Sequence, residues 1–208
     1  MSHYYTNDPT LKSQEISIKF KIKEQEFSLL SDRGVFSSKS LDEGSRYLIE
    51  SLIEQKLAGH GLDLGCGNGV ISLVLKAFNK ELNLTLTDIN DRAIELAKKN
   101  IKLAQLEKIS VVKSNLFENI KQSFDFIYFN PPIRAGKKVI YQGFEQSYHH
   151  LTKNGRLFLV IRRDLGAESA IKELERLTFR IEILTKTKGY WVFVAHKSDL
   201  KSQENMIK

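Results

Sequence analysis

The chain has 208 residues, a length that one hydrophobic core can organise. With 41% hydrophobic and 27% charged residues it lies outside the disordered and membrane-spanning classes. Lys and Arg outnumber Asp and Glu by 32 to 25, and the resulting net charge of +7 favours a polyanionic partner such as nucleic acid.

The opening M-S-H-Y-Y-T-N-D-P-T holds no apolar run of the kind that directs secretion. No later stretch reaches the roughly 18 apolar residues of a membrane span, so a cytoplasmic protein without membrane contact is expected. Ile16, Ile18, Phe20 and Ile22 then alternate with Ser17, Lys19, Lys21 and Lys23, the period of a half-buried strand. A second short strand, Phe27 to Leu30, completes a hairpin. Its lysine face either meets a phosphate backbone or protects an edge strand from pairing with other chains.

From Asp42, a suitable helix cap, Leu48, Ile49, Leu52 and Ile53 keep helical spacing. Strand-like runs follow at about 61–64, 82–87, 109–113, 124–129 and 156–161, separated mostly by helical patterns. One of these patterns is Val70 to Phe78, and another is Ala93, Ile94, Ala97, Ile101 and Ala104 behind an Asn90 cap. This alternation is that of a parallel sheet covered by helices on both faces. Adjacent His149 and His150 would point about 100° apart on a helix, so they read as surface residues, and no metal site is expected. Finally Phe179, Ile181 and Ile183 alternate, Lys188-Gly189 makes a turn, and Tyr190 to Ala195 returns as an antiparallel strand.

Two places on this frame carry chemistry. The first is L-D-L-G-C-G-N-G, Leu62 to Gly69, between a strand and a helix. Glycines at 65, 67 and 69 let a ligand approach the backbone closely, and Asp88 at the end of the next strand can accept two ribose hydroxyls. Asp63, the turn and Asp88 together indicate a nucleoside-type cofactor. Cys66, the only cysteine, excludes an intrachain disulfide and any multi-cysteine metal cluster. Inside the cofactor turn it is poorly placed for nucleophilic attack and reads as packing.

The second place is F-D-F-I-Y-F-N-P-P-I-R-A-G-K-K, Phe124 to Lys138. Asn130 stands where the fourth strand leaves the sheet, on the carboxyl edge where open α/β sheets bind ligands. Pro131 and Pro132 cannot donate to a ladder, so they turn the chain outward and are expected to aim unpaired carbonyls at the cleft. The Asn130 side-chain oxygen and the Pro131 carbonyl can then each accept one N–H of an amine and orient its lone pair toward a methyl donor.

D-L-G-C-G-N-G resembles motif I of the Rossmann-like S-adenosylmethionine-dependent methyltransferases, and N-P-P-I resembles the D/N-P-P-Y/F/W motif of those that modify amino groups. Together with G-V-F-S-x-x-x-L-D-x-G-S at Gly34 to Ser45, the run N-P-P-I-R-A-G-K-K is similar to small-domain methyltransferases of the small-subunit ribosomal RNA guanine-N2 type. The resemblance implies an α/β, Rossmann-like fold: a mostly parallel seven-stranded sheet with an antiparallel C-terminal strand and an N-terminal β-hairpin. It implies S-adenosylmethionine as cofactor, held by Asp63, Gly65, Cys66, Gly67 and Gly69 at its amino-acid end and by Asp88 at the ribose. Ile89 and Leu116 would flank the adenine, Asn115 would meet its edge, and Asn130 would border the methyl group. Catalysis would fall to Asn130, Pro131 and Pro132, with Ile133 beside the substrate. Phe36 is then either a stacking partner for the flipped base or a buried packing aromatic, and Arg134, Lys137 and Lys138, directly after the turn, either neutralise phosphates flanking the target nucleotide or are solvated loop charges. A single methyltransferase domain is expected over 1–208, with a hairpin extension at 1–40, a catalytic core at 41–196 and a polar tail at 197–208. Well-known members carry a second, degenerate copy of the domain ahead of the catalytic one, which is not expected here. The grip on ribosomal RNA or the small subunit would then come from a homodimer, from the N-terminal segment, or not at all. A protein glutamine amide as substrate, or a nonenzymatic RNA-binding role with a retained pocket, are the alternatives; a nicotinamide oxidoreductase fits the glycine spacing poorly.

Overall fold

The computed structural model describes residues 14–32 and 40–197. A hairpin, β1 (Glu15–Ile22) and β2 (Gln25–Asp32), forms a two-stranded sheet of its own. After α1 (Glu43–Ile53) the chain alternates through β3 (His60–Leu64), α2 (Val70–Phe78), β4 (Asn83–Asp88), α3 (Asp91–Leu103), β5 (Ile109–Lys113) and β6 (Phe124–Phe129). It continues through α4 (Lys137–His150), β7 (Leu151–Arg162), α5 (Ala167–Arg176), β8 (Phe179–Thr187) and β9 (Tyr190–Lys197). The second sheet has seven strands in the order β5-β4-β3-β6-β7-β9-β8. β3 to β7 pair in parallel, and β9 inserts antiparallel between β7 and β8. This is the Rossmann-like architecture expected from the sequence, with strand order reversing between β3 and β6. The carboxyl ends of those two strands form the crevice where such sheets bind ligands.

Alternation along the central strands divides the core between two faces. On β7, Phe158 and Val160 join Leu48, Ile49 and Leu52 of α1 and Val74 of α2. Leu157, Leu159 and Ile161 join Phe144 of α4 and Leu174 of α5 on the other side. The strand is buried on both faces, so its sequence reads as a continuous apolar run. β7 begins earlier than the apolar run implies, because Leu151 already pairs with Phe124 before an irregularity resets the register at Phe126 and Arg156.

The hairpin is tied to this body. Ile18, Ile22 and Leu29 lie in the core formed with α1 and α2, while Lys19 and Lys21 face outward. Asn100 of α3 donates to the Leu30 carbonyl at 2.9 Å and accepts from the Leu30 amide at 2.7 Å. It thereby pairs a stretch of edge backbone that would otherwise be open to another strand. Asp42 and Asn90 cap α1 and α3 by accepting from Ser45 and Arg92. No described helix is long and apolar enough to cross a membrane. His150 departs from its reading as a surface residue: it is half-buried, stacked on Phe117 with ring centres 4.4 Å apart, and bonded to the Gln146 carbonyl.

Candidate active site

The turn after β3 takes its shape from the glycines and from Asp88. Gly65, Gly67 and Gly69 all have positive φ, and a Cβ on Gly69 would stand 3.1 Å from Leu73 and 3.3 Å from Leu86. Larger residues would therefore strain the turn and push it off the helix. Asp88 reaches across from β4: Oδ2 accepts from the Gly67 amide at 2.9 Å, and Oδ1 accepts from the Asn90 amide at 2.9 Å. The carboxylate thus braces the cofactor turn while each oxygen keeps further lone-pair capacity for a ligand. Its bracing role was not visible in the sequence, where spacing pointed only to ribose contact.

Asp63 sits one layer deeper, 2% exposed. Its Oδ2 accepts from Ser72 Oγ at 2.6 Å, and the same hydroxyl lies 2.6 Å from the Tyr128 hydroxyl. Burial pushes the Asp63 carboxyl up to about 7, with the charge of Asp88 adding to the rise and the Ser72 hydrogen bond opposing it. Burial also raises Asp88, against the amides of Asn90, Gly67 and Ile89, which hold it down. Two buried carboxyls beside a glycine turn favour a positively charged ligand, whose arrival would let both ionise. In the same turn, Asn68 accepts from the Val70 amide at 3.3 Å, yet its buried Nδ2 has no partner among the described residues. Cys66 is buried, and burial pushes its thiol well up, as suits a packing residue.

Ile89 and Leu116 follow β4 and β5 at the carboxyl edge. Ile89 is 37% exposed. Leu116 is held at φ 50°, a strained conformation for a branched side chain, and its Cδ2 would lie 3.6 Å from a Cβ on Gly143. Asn115 is exposed, and among the described residues its side chain has no partner. Phe129 links the two halves of the site: it would lie 3.7 Å from a Cβ on Gly65 and 3.2 Å from one on Gly143, and Asn130 is the next residue.

At Asn130, Nδ2 donates to Ser45 Oγ at 3.1 Å and to Asp42 Oδ1 at 3.4 Å. A carboxylate oxygen can only accept, so the amide orientation is fixed and Oδ1 is left as the outward acceptor. Gly44 makes this approach feasible, because a Cβ there would meet Asp42 Oδ1 at 3.1 Å, the Tyr190 ring at 3.3 Å and Asn130 Nδ2 at 3.6 Å. Asp42 read in the sequence as a helix cap and, with Gly44 and Ser45, as part of a family resemblance. Their role as the seat of Asn130 comes from the topology.

One expectation about the prolines is corrected. The Pro132 carbonyl does not face the cleft unpaired, since it accepts from the Ala135 amide at 2.9 Å and closes a short 3₁₀ turn, Ile133–Ala135. Of the two proline carbonyls, that of Pro131 is the one without a donor among the described residues. Ile133 is half-buried and packs against the core of β6, α4 and α5 rather than presenting a free face. Lys137 and Lys138 open α4 and are exposed. Phe36 lies outside the described residues, and the side chain of Arg134 is likewise not described.

A family model, "Methyltransferase small domain", matches residues 26–194. "Uncharacterized protein YbxB" of Bacillus subtilis (strain 168) is 41% identical over 197 residues, spanning 94% of this chain and 98% of its own. "Ribosomal RNA small subunit methyltransferase C" of Psychromonas ingrahamii is 37% identical over 154 residues, spanning 72% of this chain and 44% of that protein. Among solved structures, the T. thermophilus 16S rRNA N2 methyltransferase (RsmC) in complex with AdoMet and guanosine superposes with a TM-score of 0.78 at 25% identity, covering 91% of this chain and 52% of that one. The chain therefore spans about half the length of the ribosomal RNA methyltransferases it matches. With most of its length matched and its glycine turn, Asp88 and N-P-P turn gathered at one sheet edge, the chain belongs to the methyltransferase small-domain family.

Proposed function

We propose that this S-adenosylmethionine-dependent methyltransferase acts on the exocyclic N2 amino group of a guanine in small-subunit (16S) ribosomal RNA. The observation that carries the reading is the fixed amide of Asn130: with Nδ2 held by Asp42 and Ser45, Oδ1 has no role left except to accept. An aryl amine needs that help, because its lone pair is delocalised into the ring and must be turned toward the electrophile. Asn130 Oδ1 accepts one N–H and the Pro131 carbonyl accepts the other, which turns the lone pair away from both acceptors and toward the methyl donor. The names of the relatives and the guanosine in the T. thermophilus complex support guanine in small-subunit RNA as the carrier of that amine.

The residues fit the cofactor. S-adenosylmethionine is a cation at its sulfonium and ammonium groups, and the buried Asp63 and Asp88 supply matching negative charge. Asp88 would hold the ribose, the turn from Gly65 to Gly69 the amino-acid end, and Ile89 and Leu116 the faces of the adenine. When bound, the cofactor supplies an electrophilic methyl group. Transfer to the guanine nitrogen would exchange the S–CH₃ bond for an N–CH₃ bond and leave the electron pair on sulfur, while Asn130 Oδ1 and the Pro131 carbonyl would hold the amine. The proton then lost from nitrogen passes to water, so Asn130 and Pro131 need only position and stabilise.

Transfer of labelled methyl to purified small subunits, naked ribosomal RNA and a protein extract tests this, with Asn130→Ala as the control. The expected result is label in ribosomal RNA that digestion releases as N2-methylguanosine. Label confined to protein would replace the reading with glutamine methylation.

A further inference from the structure

Next to Asn130, on the side away from the glycine turn, lies an aromatic and cationic cluster for which methyl transfer has no use. Tyr190 opens β9 and stands opposite Arg162 at the end of β7 and Thr187 at the end of β8, so it occupies the carboxyl edge of the sheet. Its ring lies 5.6 Å from that of Tyr47 on α1, at 57°. The Arg162 guanidinium sits 5.7 Å from the centre of the same ring. Gly44 lies beside both Tyr190 and Asn130, as a Cβ there would stand 3.3 Å from the Tyr190 ring and 3.6 Å from Asn130 Nδ2. Both tyrosines are half-buried, keeping part of each ring in solvent.

We propose that Tyr190, with Tyr47 and Arg162, forms a stacking platform for the nucleotide adjacent to the methylated guanine; this rests on RNA as the substrate. Aromatic faces backed by arginine are the usual means of holding an unpaired base, since every base presents a π-face. The orientation of Asn130 decides which base is held. Its Nδ2 is the branch turned toward Gly44, which also borders the Tyr190 ring, whereas the acceptor Oδ1 is the other branch of the amide. The target amine belongs at Oδ1, so the platform serves a neighbour. Flipping a guanine out of a stack leaves its neighbour without a partner, and Tyr190 supplies one.

The surrounding charges fit a phosphate beside that base. Arg162 pairs with Asp164, Arg163 with Glu168 at 3.2 Å and Lys188 with Glu43 at 3.5 Å, and the three cations are 46%, 69% and 72% exposed. Ion pairs this exposed are weak and can be exchanged for phosphate contacts. Ile133, on the other flank of Asn130, is packed into the core and offers no aromatic face.

The test uses the full chain and short single-stranded RNAs with one guanine flanked by 2-aminopurine, whose fluorescence is quenched by stacking. Wild type is expected to bind with strong quenching. Tyr190→Leu should lose most of the quench and bind about tenfold or more weakly, while its affinity for S-adenosylmethionine stays within about twofold of wild type. Tyr190→Phe, which keeps the ring, should retain the quench, so a general folding defect is distinguishable from loss of stacking. Equal quenching and affinity in wild type and Tyr190→Leu would overturn the platform, as would equal losses in the Leu and Phe variants. Failure of the function itself looks different: wild type would bind none of these RNAs and would transfer methyl groups to protein.

Discussion

The glycine-turn half and the Asn130 half of this site, proposed to hold cofactor and substrate respectively, are built on opposite plans. Around the glycine turn the polar groups are buried and tied to backbone: Asp88 spans Gly67 and Asn90, and Asp63 is bound to Ser72 beneath the turn. Around Asn130 and Tyr190 the charges are exposed, paired with one another across solvent, and carried by long flexible side chains. A small ligand of fixed shape rewards a preorganised cradle, whereas a polyanion is gathered by many weak, exchangeable contacts. Asn130 belongs to neither plan: in the proposed reading it faces the substrate, yet it is held by fixed partners as the glycine turn is.

That intermediate standing gives the largest expected effect. Asn130→Ala should lower methyl transfer by at least about a hundredfold through lost positioning, with cofactor affinity nearly unchanged by calorimetry. Parallel loss of cofactor binding would merge the two halves into one. Asp88→Ala should do the reverse. It removes the acceptor of the buried Gly67 amide and one negative charge, so cofactor affinity should fall by roughly tenfold or more, while binding to RNA in the absence of cofactor is retained.

The difference between the halves also explains what the sequence revealed. The glycine turn, Asp63 and Asp88 lie on consecutive βα units, so local spacing locates them, and α2 begins and ends at the residues expected. Asn130 was legible because prolines in a strand-like run mark an exit from the sheet. Its seat was not, since Ser45 and Asp42 are 85 and 88 positions away and meet it only after the sheet has assembled. Tyr190 was hidden for a similar reason. It reads as one apolar residue of a C-terminal strand until the insertion of β9 between β7 and β8 carries it to the cleft. The Pro132 carbonyl was misjudged because a tight 3₁₀ turn satisfies backbone within three residues, a detail that proline content alone does not encode.

A smaller effect separates the halves by pH. The native state holds the Asp63 proton up to about pH 7, whereas an ordinary aspartate releases it near 3.8. Between these values the native state binds more protons than the unfolded chain, so the associated stability is complete below about pH 4 and is lost as pH rises through 7. Asp63→Asn should flatten that dependence, by at most roughly 4 kcal/mol between pH 4 and 8. Denaturant midpoints of the two proteins at about pH 5 and pH 8 check it. Identical slopes would show that the buried carboxyl does not titrate in this range. No comparable effect is expected from substitutions at Arg162 or Lys188, whose charges are exposed in the folded chain.

The smallest effect concerns Lys137 and Lys138, which stand exposed in the first turn of α4 with no acidic residue beside them in that turn. Cations are unfavourable at this end of a helix, where the macrodipole is positive, so folding alone gives no reason for the pair. Neutralising both as Lys137→Gln with Lys138→Gln should therefore raise stability slightly, by about 0.3–1 kcal/mol. It should also weaken RNA binding and reduce the slope of log Kd against log salt by about 1.4, at roughly 0.7 for each phosphate contact to a single strand. A stability gain with an unchanged salt slope would make the two lysines ordinary surface charges. A gain together with a shallower slope would show a helix terminus kept less stable than it need be because its lysines face a phosphate backbone.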